Sequence, residues 1–279
     1  MKTICVCGAG TMGSGIAQVS ASFGFPTILF DLNGEIINKS NEKLHSDLEM
    51  LINKKKIGKE KKEEIIRNIL FTTEINKCVA DIIIEAIIEK EEAKVSLFNK
   101  LAEINSAKSI FASNTSSLSI TSISQKVNNP ERVAGLHFFN PAPVMKLVEV
   151  VKAEKTSKAV LNELIEFTTM LGKIPVVCSD SPGFIVNRVA RPFYIESLRI
   201  AETGQVEFET IDQIMESRGF KMGPFKLMDL IGNDVNYAVS CSVYEQLGKP
   251  LRLKPSTIQK EKVENGELGK KTGKGYYKY

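Results

Sequence analysis

Short apolar runs alternate with longer amphipathic stretches through roughly the first two-thirds of the chain. The runs Thr3–Cys7, Thr27–Asp31, Asp81–Glu85, Ile110–Ser113, Val133–Phe138, Leu147–Val151 and Ile174–Cys178 read as strands. They are nearly continuous in Val, Ile and Leu, as strands covered on both faces must be. Helical spacing fills the intervals at 14–23, 34–53, 59–68, 89–104 and 157–171. That alternation predicts an α/β domain, a largely parallel sheet with helices on both sides. Beyond Val177 no strand-like run appears, and the apolar spacing is helical from Gly183 through Tyr244. Asp180-Ser181-Pro182-Gly183 marks the change, with Pro suited to a helix start and Gly to a turn. The expectation is an α/β domain over 1–182 and a second, all-helical C-terminal domain over 183–279. In the latter, Phe184, Ile185, Val189, Tyr194, Ile195 and Leu198 share a face that fills either an intramolecular core or a dimer seam. The Lys- and Gly-rich tail from Gly269 to Tyr279 is expected to loop over the surface.

Composition supports two domains and narrows the partners. A chain of 279 residues with 43% hydrophobic content can bury a large core. Its 37 basic and 33 acidic residues are mostly interspersed, so the net charge of +4 gives no field that argues for nucleic acid. One local exception is the run Lys54, Lys55, Lys56, Lys59, Lys61 and Lys62, which is either the solvated face of a helix or an anion-docking patch. The five cysteines, Cys5, Cys7, Cys78, Cys178 and Cys241, form no C-x-x-C pair and have no zinc-spaced His, so they read as reduced core residues and no metal is expected. The first residues lack a signal pattern, and no apolar run approaches the roughly 20 residues that span a bilayer. A cytoplasmic location without a membrane partner is the expectation.

The first strand runs into Gly8-Ala9-Gly10-Thr11-Met12-Gly13, a helical pattern follows, and the second strand ends in Asp31. This is the order of a Rossmann-type dinucleotide fingerprint. Gly8 permits the tight turn, Gly10 lets backbone approach a pyrophosphate, and Gly13 lets the helix pack closely on the sheet. The helix N-terminus offers unpaired N–H groups to phosphate. Asp31 suits ribose hydroxyls, and Leu32-Asn33-Gly34 supplies no Arg for a 2′-phosphate, so NAD is favoured over NADP. A lone glycine triplet is weak evidence; the ordered context of strand, turn, helix and terminal acid carries the assignment.

Of the two histidines, His45 sits in a polar helical stretch and reads as a surface residue, whereas His137 ends an apolar strand. Ligands of open α/β sheets bind beyond the carboxyl ends of strands, which places His137 near the cofactor; the alternative is a core histidine held by backbone groups. Pro141-Ala142-Pro143 breaks the strand, and Lys146–Val151 reads as a strand returning beside it. A turn centred near Pro143 brings Glu149 level with His137. A carboxylate behind an imidazole fixes its tautomer and favours its charged form, as a general base for alcohol oxidation requires. Ser113-Asn114-Thr115-Ser116-Ser117 follows another strand, where it either binds a substrate oxygen or simply caps a helix. Asn187, an amide on an apolar helix, needs a partner and is expected to face an interdomain cleft.

At these residues the chain resembles the L-3-hydroxyacyl-CoA dehydrogenases, most closely the bacterial 3-hydroxybutyryl-CoA dehydrogenases of butyrate-forming metabolism. The similar segments are GAGTMGSGIAQ at 8–18, FASNTSSLSIT at 111–121, GLHFFNPAPVMKLVEVV at 135–151, DSPGFIVNR at 180–188, MGPFKLMDLIG at 222–232 and GKKTGKGYYKY at 269–279. They run from end to end of the chain. The resemblance implies a catalytic base at His137, its acidic partner at Glu149, a substrate and cofactor contact at Ser116, and a further site residue at Asn187. It implies nicotinamide-side contacts at Glu89, Lys94, Asn140 and Lys271, besides the glycine loop and Asp31. It implies a CoA-phosphate contact at Lys54, and Asp47 stands where some relatives have a CoA-contacting serine, which removes that contact. A homodimer built on the helical domain, with acyl-CoA between the domains, is also implied. Two rival functions remain at this level: a dehydrogenase of free hydroxy acids, and a non-catalytic NAD-binding protein on the same fold.

Overall fold

A computed structural model describes residues 2–279, which divide into two compact units meeting in sequence at Asp180 and Ser181. The first unit runs β1 (Ile4–Cys7), α1 (Thr11–Ser22), β2 (Thr27–Phe30), α2 (Gly34–Asn53), α3 (Lys59–Arg67), β3 (Ile69–Thr72), β4 (Ile82–Glu85), α4 (Glu91–Ile104), β5 (Ile110–Ser113), α5 (Ile120–Ser124), β6 (Val133–Phe138), β7 (Leu147–Lys152), α6 (Lys158–Met170) and β8 (Ile174–Ser179). These strands form one eight-stranded sheet in the order β3-β2-β1-β4-β5-β6-β7-β8. Pairing is parallel except between β6 and β7. The chain leaves β1 toward β2 and β3, then returns to build the other half from β4, so the strand order reverses at β1 and β4. Crevices at the carboxyl ends of strands beside such a reversal are where ligands of Rossmann-type sheets bind.

Central strands are apolar on both faces because helices cover both. Ile4, Val6, Ile82, Ile84, Ile110, Ala112, Leu136 and Val150 are fully buried in one core with Ile16, Leu48 and Leu164 from the helices. The two edges differ from the sequence reading. Strand β3 was not separable from the helical pattern before it, because it pairs only with β2 and leaves Leu70 48% exposed. Strand β8, at the opposite edge, leaves Ile174 and Val177 about half exposed, so burial on both faces does not hold there.

The second unit comprises α7 (Val186–Glu202), α8 (Phe208–Ser217), α9 (Pro224–Ile231), α10 (Asn233–Gln246) and α11 (Thr257–Glu264). Tyr194, Leu198, Ala201, Ile211, Phe225 and Met228 form its core. Of the face marked out in sequence, Phe184 and Ile195 are also buried, while Ile185 and Val189 are exposed. The tail runs over the surface as expected, and it is pinned there. Buried Asp229 accepts hydrogen bonds from the backbone N–H groups of Tyr276 and Tyr277 and from the Tyr279 hydroxyl. Buried Asp212 accepts from the first turn of α9, at Phe225 and Lys226, and from the Tyr277 hydroxyl. A buried carboxylate needs such donors, and the tail supplies them. Among the described residues no helix is long and apolar enough to cross a membrane.

Candidate active site

The glycine turn after β1 separates the demands of the fold from those of a ligand. Gly8 has φ +101°, and a Cβ there would lie 2.5 Å from the Ala86 carbonyl oxygen. A Cβ at Gly13 would lie 1.7 Å from the Gly8 oxygen, so the approach of α1 to the turn forbids any side chain. Gly10 is different. Its φ of −69° suits any residue, and a Cβ would meet no protein atom within 4 Å. No neighbour among the described residues excludes a side chain there, which makes close approach of a ligand a reason for glycine. Gly10 also gives α1 an N-terminus with no side-chain cap, so first-turn N–H groups beside exposed Thr11 and half-buried Met12 are available to an anion. At the end of β2, Asp31 accepts from the backbone N–H of Ala9 at 2.9 Å and of Asn33 at 3.0 Å, which fixes its carboxylate beside the turn. These residues fit a dinucleotide with free ribose hydroxyls.

His137 and Glu149 are register partners in the antiparallel pairing of β6 and β7. Both are buried, and His137 Nδ1 lies 2.7 Å from Glu149 Oε2. A carboxylate can only accept, so Nδ1 carries a proton, and in the neutral ring Nε2 keeps its lone pair. Nε2 in turn lies 3.2 Å from Ser116 Oγ. The three predicted catalytic residues of the first unit are therefore one connected chain of hydrogen bonds.

The loop that carries Ser116 is held by Glu89 and Lys94, expected from the resemblance as cofactor contacts, and by Glu85, which the sequence did not single out. Glu89 accepts from Thr115 Oγ1 at 2.5 Å, from the Ser116 backbone N–H at 3.1 Å and from Ser117 Oγ at 2.9 Å. Lys94, only 1% exposed, places its ammonium 3.1 Å from Glu89 and 2.6 Å from the fully buried Glu85. Glu85 also accepts from Ser113 Oγ at 2.6 Å and from the Ile87 N–H at 2.7 Å. Burial pushes the Glu85 carboxyl above its ordinary range, against the pull of Lys94 and those donors. Burial acts in the same sense on Glu89, but the Lys94 charge and the hydroxyl donors together hold it below that range. Lys94 thus sits between two carboxylates rather than open to solvent. No sequence signal pairs Glu85 with Ser113; only the adjacency of β4 and β5 does.

The turn after β6 is fixed as well. Lys173, buried, donates to the carbonyls of Ala142 at 2.6 Å and Met145 at 2.8 Å, and burial lowers its pKa. Gly15 of α1 packs closely on this turn, where an added methyl would lie 3.2 Å from the Ala142 Cβ. Asn140, at the start of this turn, is exposed. Elsewhere, Asn187 is half-buried in the first turn of α7. Lys271 is ion-paired with Asp234 at 2.6 Å within the second unit. Lys54 is exposed just after α2, where Lys54, Lys55, Lys56 and Lys59 have no carboxylate partner among the described residues; Lys61 and Lys62 pair with Glu64 and Glu49. Asp47 pairs with Lys43, and His45 is exposed.

A glycine turn at a strand reversal and a carboxylate-backed histidine at the same end of the sheet define a nicotinamide-dinucleotide dehydrogenase fold. Residues 3–181 match the 3-hydroxyacyl-CoA dehydrogenase NAD-binding domain, and residues 183–279 match the C-terminal domain of the same name. The chain belongs to the 3-hydroxyacyl-CoA dehydrogenase family, and its cofactor is NAD(H). It is 46% identical over 99% of its length to a 3-hydroxyadipyl-CoA dehydrogenase of Escherichia coli K12, spanning 59% of that relative. It is 41% identical over its whole length to the mitochondrial hydroxyacyl-coenzyme A dehydrogenase of Sus scrofa, covering 91% of it. Among solved structures, (S)-3-hydroxybutyryl-CoA dehydrogenase from Ralstonia eutropha superposes with a TM-score of 0.94 at 35% identity, covering 99% of this chain and 98% of that one.

Proposed function

We propose that this chain interconverts a 3-hydroxyacyl-CoA and the corresponding 3-oxoacyl-CoA with NAD(H), with (S)-3-hydroxybutyryl-CoA and acetoacetyl-CoA as the minimal pair. The observation that carries this reading is the hydrogen-bonded chain of buried Glu149 and His137 with half-buried Ser116. NAD, held by the turn at Gly8–Gly13 and by Asp31, would supply the hydride acceptor or donor for substrate C3. His137 Nε2, with its lone pair directed at Ser116, takes the hydroxyl proton, and Glu149 stabilises the imidazolium that results. In the reducing direction the same nitrogen returns the proton to the developing alkoxide. Ser116 Oγ and the Asn187 amide hold the 3-oxygen in this scheme, and Lys54 meets a CoA phosphate. Asp31, with no cation in the residues that follow it, supports NAD over NADP. Exposed Val189 on α7 and Ile185 just before it support a homodimer, and we place the enzyme in the cytoplasm.

The names of the relatives divide between a four-carbon acyl group and 3-hydroxyadipyl, whose chain ends in a carboxylate. Both share the reacting centre, so one assay tests the proposal. NADH oxidation is followed with acetoacetyl-CoA and, beside it, with free acetoacetate. Oxidation with the thioester alone supports the proposal. Activity only with the free acid makes this a hydroxy-acid dehydrogenase, and silence with both makes it a binding protein.

A further inference from the structure

Arg191 lies one turn beyond Asn187 on α7, is 3% exposed, and has no anionic partner. Its Nε donates to the Asn187 carbonyl at 2.9 Å. Its Nη1 donates to the Asn236 carbonyl at 3.0 Å and to Ser240 Oγ at 2.8 Å, and the guanidinium stands 4.9 Å from the centre of the Tyr194 ring. All of these partners are neutral, and no carboxylate of the described residues lies within 4.0 Å. An isolated charge in such a place is costly, and structural arginines at that depth are ordinarily paired. Burial pushes the Arg191 pKa down to about 10, with no carboxylate to offset it.

A second buried group beside it is also incomplete. Asn236, 1% exposed, accepts from Gln259 Nε2 at 3.2 Å through Oδ1, while its Nδ2 has no hydrogen-bond partner. A buried cation without a carboxylate, beside a buried amide with a donor to spare, calls for an acceptor that carries negative charge. A purely structural role, bracing the first turns of α7, accounts for the bond to Asn187 but not for the charge.

We propose that Arg191, with Asn236 and Ser240, receives the far carboxylate of an acyl-CoA whose acyl chain ends in one. This rests on the proposed reaction, in which Asn187 holds the 3-oxygen. Four residues advance a helix by about 6 Å and return to the same face. In a six-carbon chain, C3 and the terminal carboxyl carbon are separated by three bonds of about 1.5 Å, and the reach of the guanidinium spans the remainder. A site whose buried donors expect a charged acceptor discriminates against an analogue that lacks it, because the donors are then left unpaired.

The test compares kcat/KM for acetoacetyl-CoA, 3-oxohexanoyl-CoA and 3-oxoadipyl-CoA in NADH oxidation, the last two being equal in length and different in terminal charge. Charge-assisted hydrogen bonds predict that 3-oxoadipyl-CoA exceeds 3-oxohexanoyl-CoA by roughly 10- to 100-fold. Arg191→Met is expected to bring that ratio to unity or below, chiefly through KM. Equal or better use of 3-oxohexanoyl-CoA by the unaltered protein overturns the inference while leaving the proposed reaction standing. Turnover of none of the three overturns both. Where Arg191→Met fails to fold, the comparison in the unaltered protein decides alone.

Discussion

The side-chain oxygen of Asn114 accepts a hydrogen bond from the backbone N–H of Phe138 at 2.9 Å, so the loop bearing Ser116 is tied to the strand bearing His137 one residue past the imidazole. With Ser113 opposite Gly135 in the β5–β6 register, serine and histidine are carried on one rigid frame. Replacing Asn114 by Leu leaves that buried N–H unpaired. A stability loss of about 1–3 kcal/mol and a fall in kcat larger than any rise in KM for NADH are expected, measured by urea unfolding and steady-state kinetics. An unchanged kcat contradicts the coupling.

Removing the imidazole while preserving shape separates chemistry from binding. His137→Gln is expected to lower turnover by about 10²–10⁴-fold and to leave NADH affinity, read by fluorescence titration, close to that of the unaltered protein. Glu149→Gln keeps the hydrogen bond geometry but removes the charge that supports the imidazolium. A fall in kcat of roughly 10- to 100-fold is expected, the value of a charge-assisted bond.

The glycines of the turn divide into two kinds, and substitution distinguishes them. Gly13→Ala drives a methyl into the Gly8 carbonyl oxygen, so about 3 kcal/mol or more of stability is lost. Gly10→Ala has open space and an ordinary φ, so stability changes by less than about 1 kcal/mol. Its NADH affinity is expected to fall roughly tenfold or more, equivalent to about 1.4 kcal/mol. Normal NADH binding by Gly10→Ala removes the reason given for that glycine.

What the sequence disclosed follows periodicity and short range. Strands β1, β4, β5 and β6 were legible because unbroken, largely apolar runs are expected where both faces are covered. The His137–Glu149 pair was legible because a proline-marked turn fixes an antiparallel register by counting outward from its centre. Strand β3 was not, since an edge strand with exposed Leu70 lacks an unbroken apolar signal. Neither was the five-residue, serine-rich α5, too short to show a period. The Ser113–Glu85–Lys94–Glu89 network and the grip of Asp212 and Asp229 on the tail depend on which elements lie side by side, and charge spacing along a chain carries no such information.

Lys94 and Glu85 make a buried pair whose loss depends on pH. Lys94→Met leaves Glu85 buried without its cation, at a cost of about 3–5 kcal/mol near neutral pH. Burial already holds the folded Glu85 carboxyl above its unfolded value, and loss of Lys94 raises it further. A group with a raised folded pKa contributes stability that is present at acidic pH and lost as pH rises through the folded value. The deficit of Lys94→Met relative to the unaltered protein is therefore expected to shrink as pH falls, in denaturant melts across a pH series. A deficit that stays constant with pH contradicts the pairing.

The most direct test of the central claim is the distance between His137 Nε2 and the substrate 3-oxygen in a crystal structure of the protein with NAD and acetoacetyl-CoA. Hydrogen-bond contact at about 2.6–3.2 Å, with Ser116 Oγ on the same oxygen and Glu149 still on Nδ1, is the predicted result. A 3-oxygen beyond reach of that nitrogen, with a different side chain in contact, contradicts the assignment of His137 as the acid–base group.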